Sequence, residues 1–375
     1  MASGFNLTLM IGPVVPLPVS QEVLDALTSV SVTINSDSVS VFQLEFTLSN
    51  RSPLQTIFLL AGGASIPLVR VLIIVTVGGQ AEVLMDGVMT NHEIRPGADA
   101  SHSVLTITGE DLSKVMDYFD FSGIPYPAMP NEARVALIIA KYAFLGIVPL
   151  VIPSILIDIP IPTERIPEQK GKDLAYIKSM ADEVGYVFYV EPGPEPGMSI
   201  AYWGPEIKVG VPQKALSINM DAATNIESVS CSFNSQSRVI PYVLVQIPLT
   251  HVSIPIPIPD ITPLNPPLGL IPPIPLNFEP VENSAKYSPI RAAVIGLTKA
   301  ARSSEAASAS GTLNVARYGA VLKARRLVGL RGVGEAFDGL YYVKNVKSSI
   351  KRGEFKQDFT LTRNGLISTL PEVPV

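Results

Sequence analysis

Histidine, cysteine and charge are all scarce in this chain of 375 residues. The single cysteine, Cys231, has no internal disulfide partner, which fits synthesis in a reducing compartment. The three histidines are His92, His102 and His251. No two of them stand at metal-ligand spacing, so no metal or other cofactor is expected. His92 and Glu93 sit next to each other on an expected strand, where adjacent side chains point to opposite faces and cannot converge. There is no G-x-S-x-G elbow and no phosphate-binding loop. The glycine-rich "GLRGVGEAFDG" lacks the dinucleotide pattern and runs into a strand rather than a helix. The acidic pairs Glu110/Asp111 and Asp182/Glu183 read as helix-end and solvent-facing charges, and Lys170–Asp173 as a solvated helix start. The chain is therefore not expected to be an enzyme. Charged residues make up only 16%, against about 25% in ordinary soluble domains. Net charge is −5, and no basic run exceeds Lys323–Arg326, which argues against a nucleic-acid footprint. The N-terminus lacks a basic n-region and is broken by prolines, so no signal peptide is expected. The apolar stretch Ala136–Ile157 contains Lys141, Pro149 and Pro153. It reads as a buried helix running into an extended segment, not as a stable membrane span.

What is abundant is apolar: hydrophobic residues reach 47%. A chain with so little charge either buries an unusual share of itself or hides surface in an assembly. Alternating residues predict a half-buried strand at 42–48, and a β-branched run predicts a doubly covered strand at 71–77. Residues 83–94 read as strand, turn at Asp86-Gly87, strand. Val104–Thr108 is a further strand, followed by a helix with Leu112, Val115, Met116 and Phe119 on one face. Asn131 is expected to cap a helix beginning at Glu132. A second helix is expected over 172–184, with Gly185 as its C′ residue, and "YVFYV" as the strand after it. Strands return at 215–220, 226–233 and 242–247. A helix is expected at 290–307 and closing strands over 320–363.

From Pro241 to Pro280, twelve of forty residues are proline, set among isoleucine and leucine. Proline fixes φ and has no N–H, so this stretch is expected to be extended, neither helix nor central strand. A free loop would not expose so many apolar side chains. The segment is expected to lie on something apolar, either its own core or a neighbouring subunit. Ile254, Ile256, Ile258, Leu268, Leu270 and Ile271 are the candidate contact residues.

The chain also repeats itself at long period. "LTITGEDL" (105–112) parallels "FTLTRNGL" (359–366), aligning Thr106 with Thr360 and Thr108 with Thr362. Upstream, "MDGVMTNHEI" (85–94) parallels "FDGLYYVKNV" (337–346). From Asp86 to Leu105 is 19 residues, and from Asp338 to Phe359 is 21. The expected fold is mainly β with an inserted α+β region. It holds two related tube-like β-barrel or sandwich domains: 1–120 is the first, 121–210 the α+β insertion, and 211–375 the second, interrupted by the proline-rich stretch at about 241–285.

The closing stretch 318–366 resembles the C-terminal end of phage late control protein D, a family that includes baseplate hubs of contractile tails. It is also similar, more distantly, to the hub portion of the type VI secretion spike protein. The residues that carry the resemblance include Gly334, Asp338, Gly339, Tyr341, Val343, Val346, Gly353, Phe355, Phe359, Leu361, Arg363 and Gly365. The first repeat, with Asp86, Gly87, Thr106 and Thr108, looks like the N-terminal tube-like domain of such hubs. "QKGKDLAYIKSMADEVGYVFYV" looks like their inserted domain. Many members have histidine where Ser348 stands, so no role for that residue carries over, and the proline-rich stretch inherits nothing.

The resemblance implies a homotrimer in which two like domains per chain make a pseudo-six-fold ring. Such a ring would adapt a six-fold tail tube protein to a three-fold spike, beside other baseplate proteins. The chain carries no needle repeat after the hub-like part, so the spike is expected to be a separate protein. The hub would be made in the cytoplasm and assembled into a phage tail or injection particle. A tail-tip cell-wall hydrolase and a cell-surface β-domain binding module are the alternatives.

Overall fold

Alternating and continuous apolar runs make the described part of residues 6–95 largely a succession of strands. The computed structural model describes residues 4–48, 68–97, 103–154, 159–163, 166–246, 253–258, 264–275, 277–281, 295–297, 300 and 303–370. The first elements are β1 (Asn6–Gly12), β2 (Leu17–Pro18), α1 (Gln21–Ala26), β3 (Leu27–Asn35), β4 (Val41–Leu48), β5 (Arg70–Val77), β6 (Gln80–Arg95) and β7 (Ser103–Asp111). They hydrogen-bond in the order β3-β4-β7-β6-β5-β1. Phe42, Leu44 and Phe46 point inward from β4 onto Val71, Ile73, Leu105 and Ile107, all buried. The expected turn at Asp86-Gly87 is corrected: both lie inside the continuous β6, and the β5–β6 hairpin turns at Gly78-Gly79, which take positive φ. Only a residue without a side-chain clash adopts that backbone readily.

The inserted region follows. A 3₁₀ turn at Leu112–Asp117 stands where a helix was expected, and Phe119 is exposed instead of sharing its buried face. Next come α2 (Asn131–Ala140), β8 (Ile147–Val151), α3 (Asp173–Glu183), β9 (Val187–Pro192) and β10 (Ser199–Gly204). β10 lies between parallel β8 and antiparallel β9, and Ile138 of α2 and Ile177 of α3 share a buried core with Trp203 of β10. Asn131 does not cap α2; the cap position is Pro130, and the Asn131 amide oxygen accepts from Arg134 instead. Asp173 is not a solvated helix-start charge. It is fully buried, accepting from Lys141 Nζ at 2.9 Å, Tyr142 Oη at 2.7 Å and Gln169 Nε2 at 2.6 Å. Among the described residues no helix is long and apolar enough to cross a membrane.

The second half contains β11 (Gln213–Ser217), β12 (Ile226–Phe233), β13 (Val239–Gln246), β14 (Ser253–Pro257), β15 (Gly269–Ile271), β16 (Asn277–Pro280), β17 (Ala307–Asn314), β18 (Leu327–Arg331), β19 (Gly339–Lys351), β20 (Glu354–Arg363) and β21 (Leu366–Ser368). Of the helix expected over 290–307, residues 290–294 lie outside the described residues, and Ala307 already belongs to β17. The order β12-β17-β20-β19-β18-β11 repeats the first half strand for strand, with its own buried core around Leu313, Tyr341, Phe359 and Leu361. One pairing differs: β1 runs antiparallel to β5, whereas β11 runs parallel to β18.

The register repeats too. The β3–β4 ladder shifts between Leu27 and Ser29, and β12–β17 shifts between Ile226 and Ser228. The β6–β7 ladder shifts between Met89 and Asn91, and β19–β20 between Val343 and Asn345. Asn91 opposes Thr108, and Asn345 opposes Thr360. The structural equivalent of Thr360 is therefore Thr108, two residues along from the sequence pairing with Thr106. By the same register Asp86-Gly87 matches Leu340-Tyr341, not Asp338-Gly339. A stronger repeat lies in β3 and β12: "LTSVSVTIN" (27–35) aligns with "IESVSCSFN" (226–234) through their matched bulges. The two halves join in one continuous sheet, because β3 pairs antiparallel with β19 from Ser29↔Lys351 to Asn35↔Asn345.

In the first half, Ser36–Ser40 suffices to connect β3 to β4. In the second, the proline-rich arm occupies the corresponding place between β12 and β17. The arm is a sheet of its own, with β13 between antiparallel β14 and parallel β16. The expectation of no central strand is corrected, since Pro241 lies in β13. It sits at the ladder's end, where its missing N–H faces only Ile258, whose own N–H donates to the Pro241 carbonyl at 2.9 Å. In β14, Pro255 and Pro257 alternate with isoleucine. Residues two apart on a strand turn their N–H groups to the same side, so both prolines face away from β13.

Candidate assembly interface

The residues of the closing hairpin converge on one loop. Asp338 does not turn the chain. Its carboxylate accepts the backbone N–H of Gly332 at 3.1 Å, Val333 at 2.9 Å and Gly334 at 3.1 Å, holding loop 332–338 in a tight curl. Arg363, buried at the end of β20, donates to the carbonyls of Asp338 at 3.0 Å and Ala336 at 2.9 Å. Its guanidinium lies 4.5 Å from the centre of the Tyr341 ring. Burial raises the Tyr341 phenol, which keeps its proton and donates to Phe337 O at 2.7 Å. Gly339 takes φ +133°, and a Cβ there would meet Ser368 Oγ at 2.6 Å and Arg363 Nη1 at 2.7 Å. Gly365 allows β15 to cross close by, with Ile271 O at 2.7 Å from where its Cβ would be. Phe359 and Leu361 are buried beneath.

In the first half, Asp86 is placed differently. It forms a two-pronged ion pair with Arg70, at 2.8 and 2.6 Å, and accepts from Ser199 Oγ of β10 at 3.1 Å. Arg70 also donates to Val14 O at 3.0 Å and Gly197 O at 2.9 Å. This cluster fastens the inserted region to the first half. Burial pushes the Asp86 carboxyl up, opposed by Arg70 and Ser199. Gly87 and Gly109 leave room for the Phe42 ring, which a side chain at either would strike. Thr106 is buried and Thr108 half-buried, both in β7. A second ionic tie, invisible in the sequence, holds the end of the arm: Glu305 accepts from Lys208 at 2.6 Å and from Lys344 at 2.9 Å. Burial alone would raise the Glu305 carboxyl, but the two ammonium groups hold it below its usual value.

These residues lock the fold; the surfaces left for partners lie elsewhere. Among the described residues β12 pairs only with β17, and beyond Met89 β6 pairs only with β7. On the arm, Ile258 is buried with Val243 and Val281, and Leu268 with Leu327, Leu340 and Tyr342. Ile256, Leu270 and Ile271 are exposed, as are Leu244, Ile274 and Phe278. The backbone of Ile254 pairs with Val245. The arm thus lies partly on its own core and keeps an apolar outer surface. Among the described residues no group of three His, Cys, Asp or Glu side chains could hold a metal ion. His102 and His251 lie outside the described residues.

No protein-family model and no curated protein sequence matches the chain. Solved structures do. The tail protein from Neisseria meningitidis MC58 superposes with a TM-score of 0.62 at 11% identity, covering 97% of this chain and 98% of its own. The 43 kDa tail protein of prophage MuSo2 from Shewanella oneidensis gives 0.59 at 13% identity, covering 96% and 98%. The E. coli c3393 protein, a component of the type VI secretion system similar to T4 bacteriophage tail proteins gp27 and gp5, gives 0.53 at 11% identity, covering 93% and 78%. The chain therefore has the mainly β fold of phage tail and type VI secretion proteins along nearly its whole length.

Proposed function

We propose that the protein is the structural hub at the tip of a contractile tail or injection device. Three chains, each with two like halves, form a ring of six similar units around one axis. The ring meets a six-fold tail tube on one side and a separate three-fold spike on the other, within a baseplate. Its work is mechanical: it nucleates the tube, holds the spike and travels or opens when the sheath contracts. It needs no cofactor and carries out no catalysis.

The observation that carries this reading is the repeat of strand order, bulge positions and core between the two halves. A chain built twice over offers a ring twice as many equivalent surfaces as it has subunits. The shared fold with tail proteins supports the setting, and the exposed apolar residues of the arm offer a surface for a baseplate neighbour. The test is the oligomeric mass of the purified protein: three times the 40.1 kDa chain is expected, and a stable monomer at micromolar concentration overturns the reading.

A further inference from the structure

Among the described residues two strand edges are left open, and each has an equivalent strand that is paired within the chain. Inside the chain, β3 of the first half pairs with Asn345–Lys351 of β19 in the second. β19 has β20 on one side; its other side carries β18 up to Tyr342 and β3 from Asn345 onward. β6 is the equivalent strand. It has β7 on one side, and its other side carries β5 up to Val88. The backbone bonds that end these two ladders are equivalent as well: Met89 N–H to Val69 O and Val343 N–H to Arg326 O, both at 2.9 Å. The part of β6 that corresponds to the β3-binding stretch of β19 is Asn91–Arg95, and it has no such neighbour among the described residues. The strand that corresponds to β3 is β12, whose outer edge likewise has no partner among the described residues.

We propose that β12 of one copy pairs antiparallel with Asn91–Arg95 of the next copy, in the register that the internal β3–β19 junction dictates. Transferring that junction through the matched bulges gives Asn91↔Asn234, His92↔Phe233, Glu93↔Ser232, Ile94↔Cys231 and Arg95↔Ser230. This deepens the trimer reading above and rests on it.

Two observations independent of edge exposure agree, and the side-chain accessibilities are consistent with them. Within the chain, Asn345 donates through its side chain to Asn35 at the end of the junction. Their equivalents, Asn91 and Asn234, are also both asparagine, and both are exposed. β3 and β12 share the pattern Ser-Val-Ser and a closing Asn, on strands assigned the same work. Val30 and Val32 are 2% and 0% exposed, whereas their equivalents Val229 and Cys231 remain half-buried. Ser348, paired with Val32 of β3, is 3% exposed, whereas its equivalent Ile94 is 38% exposed. The second-half strand and the first-half edge each show the accessibility of a site awaiting the neighbour that its twin possesses. Main-chain pairing of two open edges is a strong driving force for association and sets its register.

Cys231 makes the register measurable. Directly opposed residues on antiparallel strands have Cα atoms about 4.5–5.5 Å apart, within disulfide range. Ile94→Cys, combined with the native Cys231 and mild oxidation, is expected to give dimers and closed trimers that survive denaturation and collapse on reduction. Glu93→Cys, one residue off and on the other strand face, is expected to give none. Asn91→Asp with Asn234→Asp is expected to weaken assembly at least tenfold, and Asn91→Asp with Asn234→Lys to restore it, with thermal unfolding of the single chain unchanged. If the Ile94→Cys protein has trimeric mass but does not cross-link, the pairing is wrong and the trimer stands. If it is monomeric, the trimer and the pairing fall together.

Discussion

At the scale of single residues, the chain buries several of its charges and gives each a partner. Arg363 is 1% exposed and serves two backbone carbonyls, and Asp338 serves three backbone N–H groups. Arg363→Ala strands those carbonyls and removes the plate that covers Tyr341. It is expected to cost on the order of 3 kcal/mol, read as a lower urea midpoint at unchanged slope. Asp86→Ala leaves the Arg70 guanidinium buried without its counter-charge, at a cost of about 3–5 kcal/mol. Removing both ends, as Asp86→Ala with Arg70→Met, is expected to cost less than the single change. An additive result in that double-mutant cycle would mean the pair is not coupled. Both aspartates stand before glycine, and the Asp-Gly signal points to a turn in either place. Nothing in a single sequence reveals that Arg70, sixteen positions before Asp86, will lie diagonally across a hairpin from it and take its carboxylate.

At the scale of elements, the strands were largely legible, because alternation survives wherever one face is covered. β12 runs over 226–233, as its pattern indicates. Less legible was the arm, where proline density obscured a small sheet. Its prolines occupy the outer side of an edge strand, where no N–H is needed, and there they also block further strand addition. Ile256→Pro, at an exposed side chain whose N–H faces β13, is expected to abolish amide protection between β13 and β14. Pro257→Ala is expected to preserve it, and equal protection in the two variants would refute this arrangement. The arm's base is also sensitive to acid. Glu305 titrates below its usual value, so it binds its proton more weakly in the folded chain than in the unfolded one. Its contribution is present above the unfolded value and disappears as pH falls through the lower, folded one. The stability gap between the native protein and Glu305→Gln is expected to be full near pH 7 and to close below about pH 4.

At the scale of the whole molecule, the repeat is the organising fact. The sequence shows it at the closing hairpin, two residues out of register, because threonines alternate in both copies and bulges leave no mark in composition. The truer copy, in β3 and β12, is short and interrupted by a single inserted residue in each ladder. It becomes plain only when the bulges are aligned. The continuous sheet that joins the halves depends on β3–β19 contacts between residues more than three hundred positions apart, which no local pattern encodes. In that sheet the β3 and β19 edges are paired inside the chain, while among the described residues the outer edge of β12 and the Asn91–Arg95 edge of β6 have no strand partner. The most direct test is electron microscopy of the purified protein viewed down its axis. A three-fold particle with six similar inner lobes is the predicted result, and a monomer or a two-fold dimer would contradict the account.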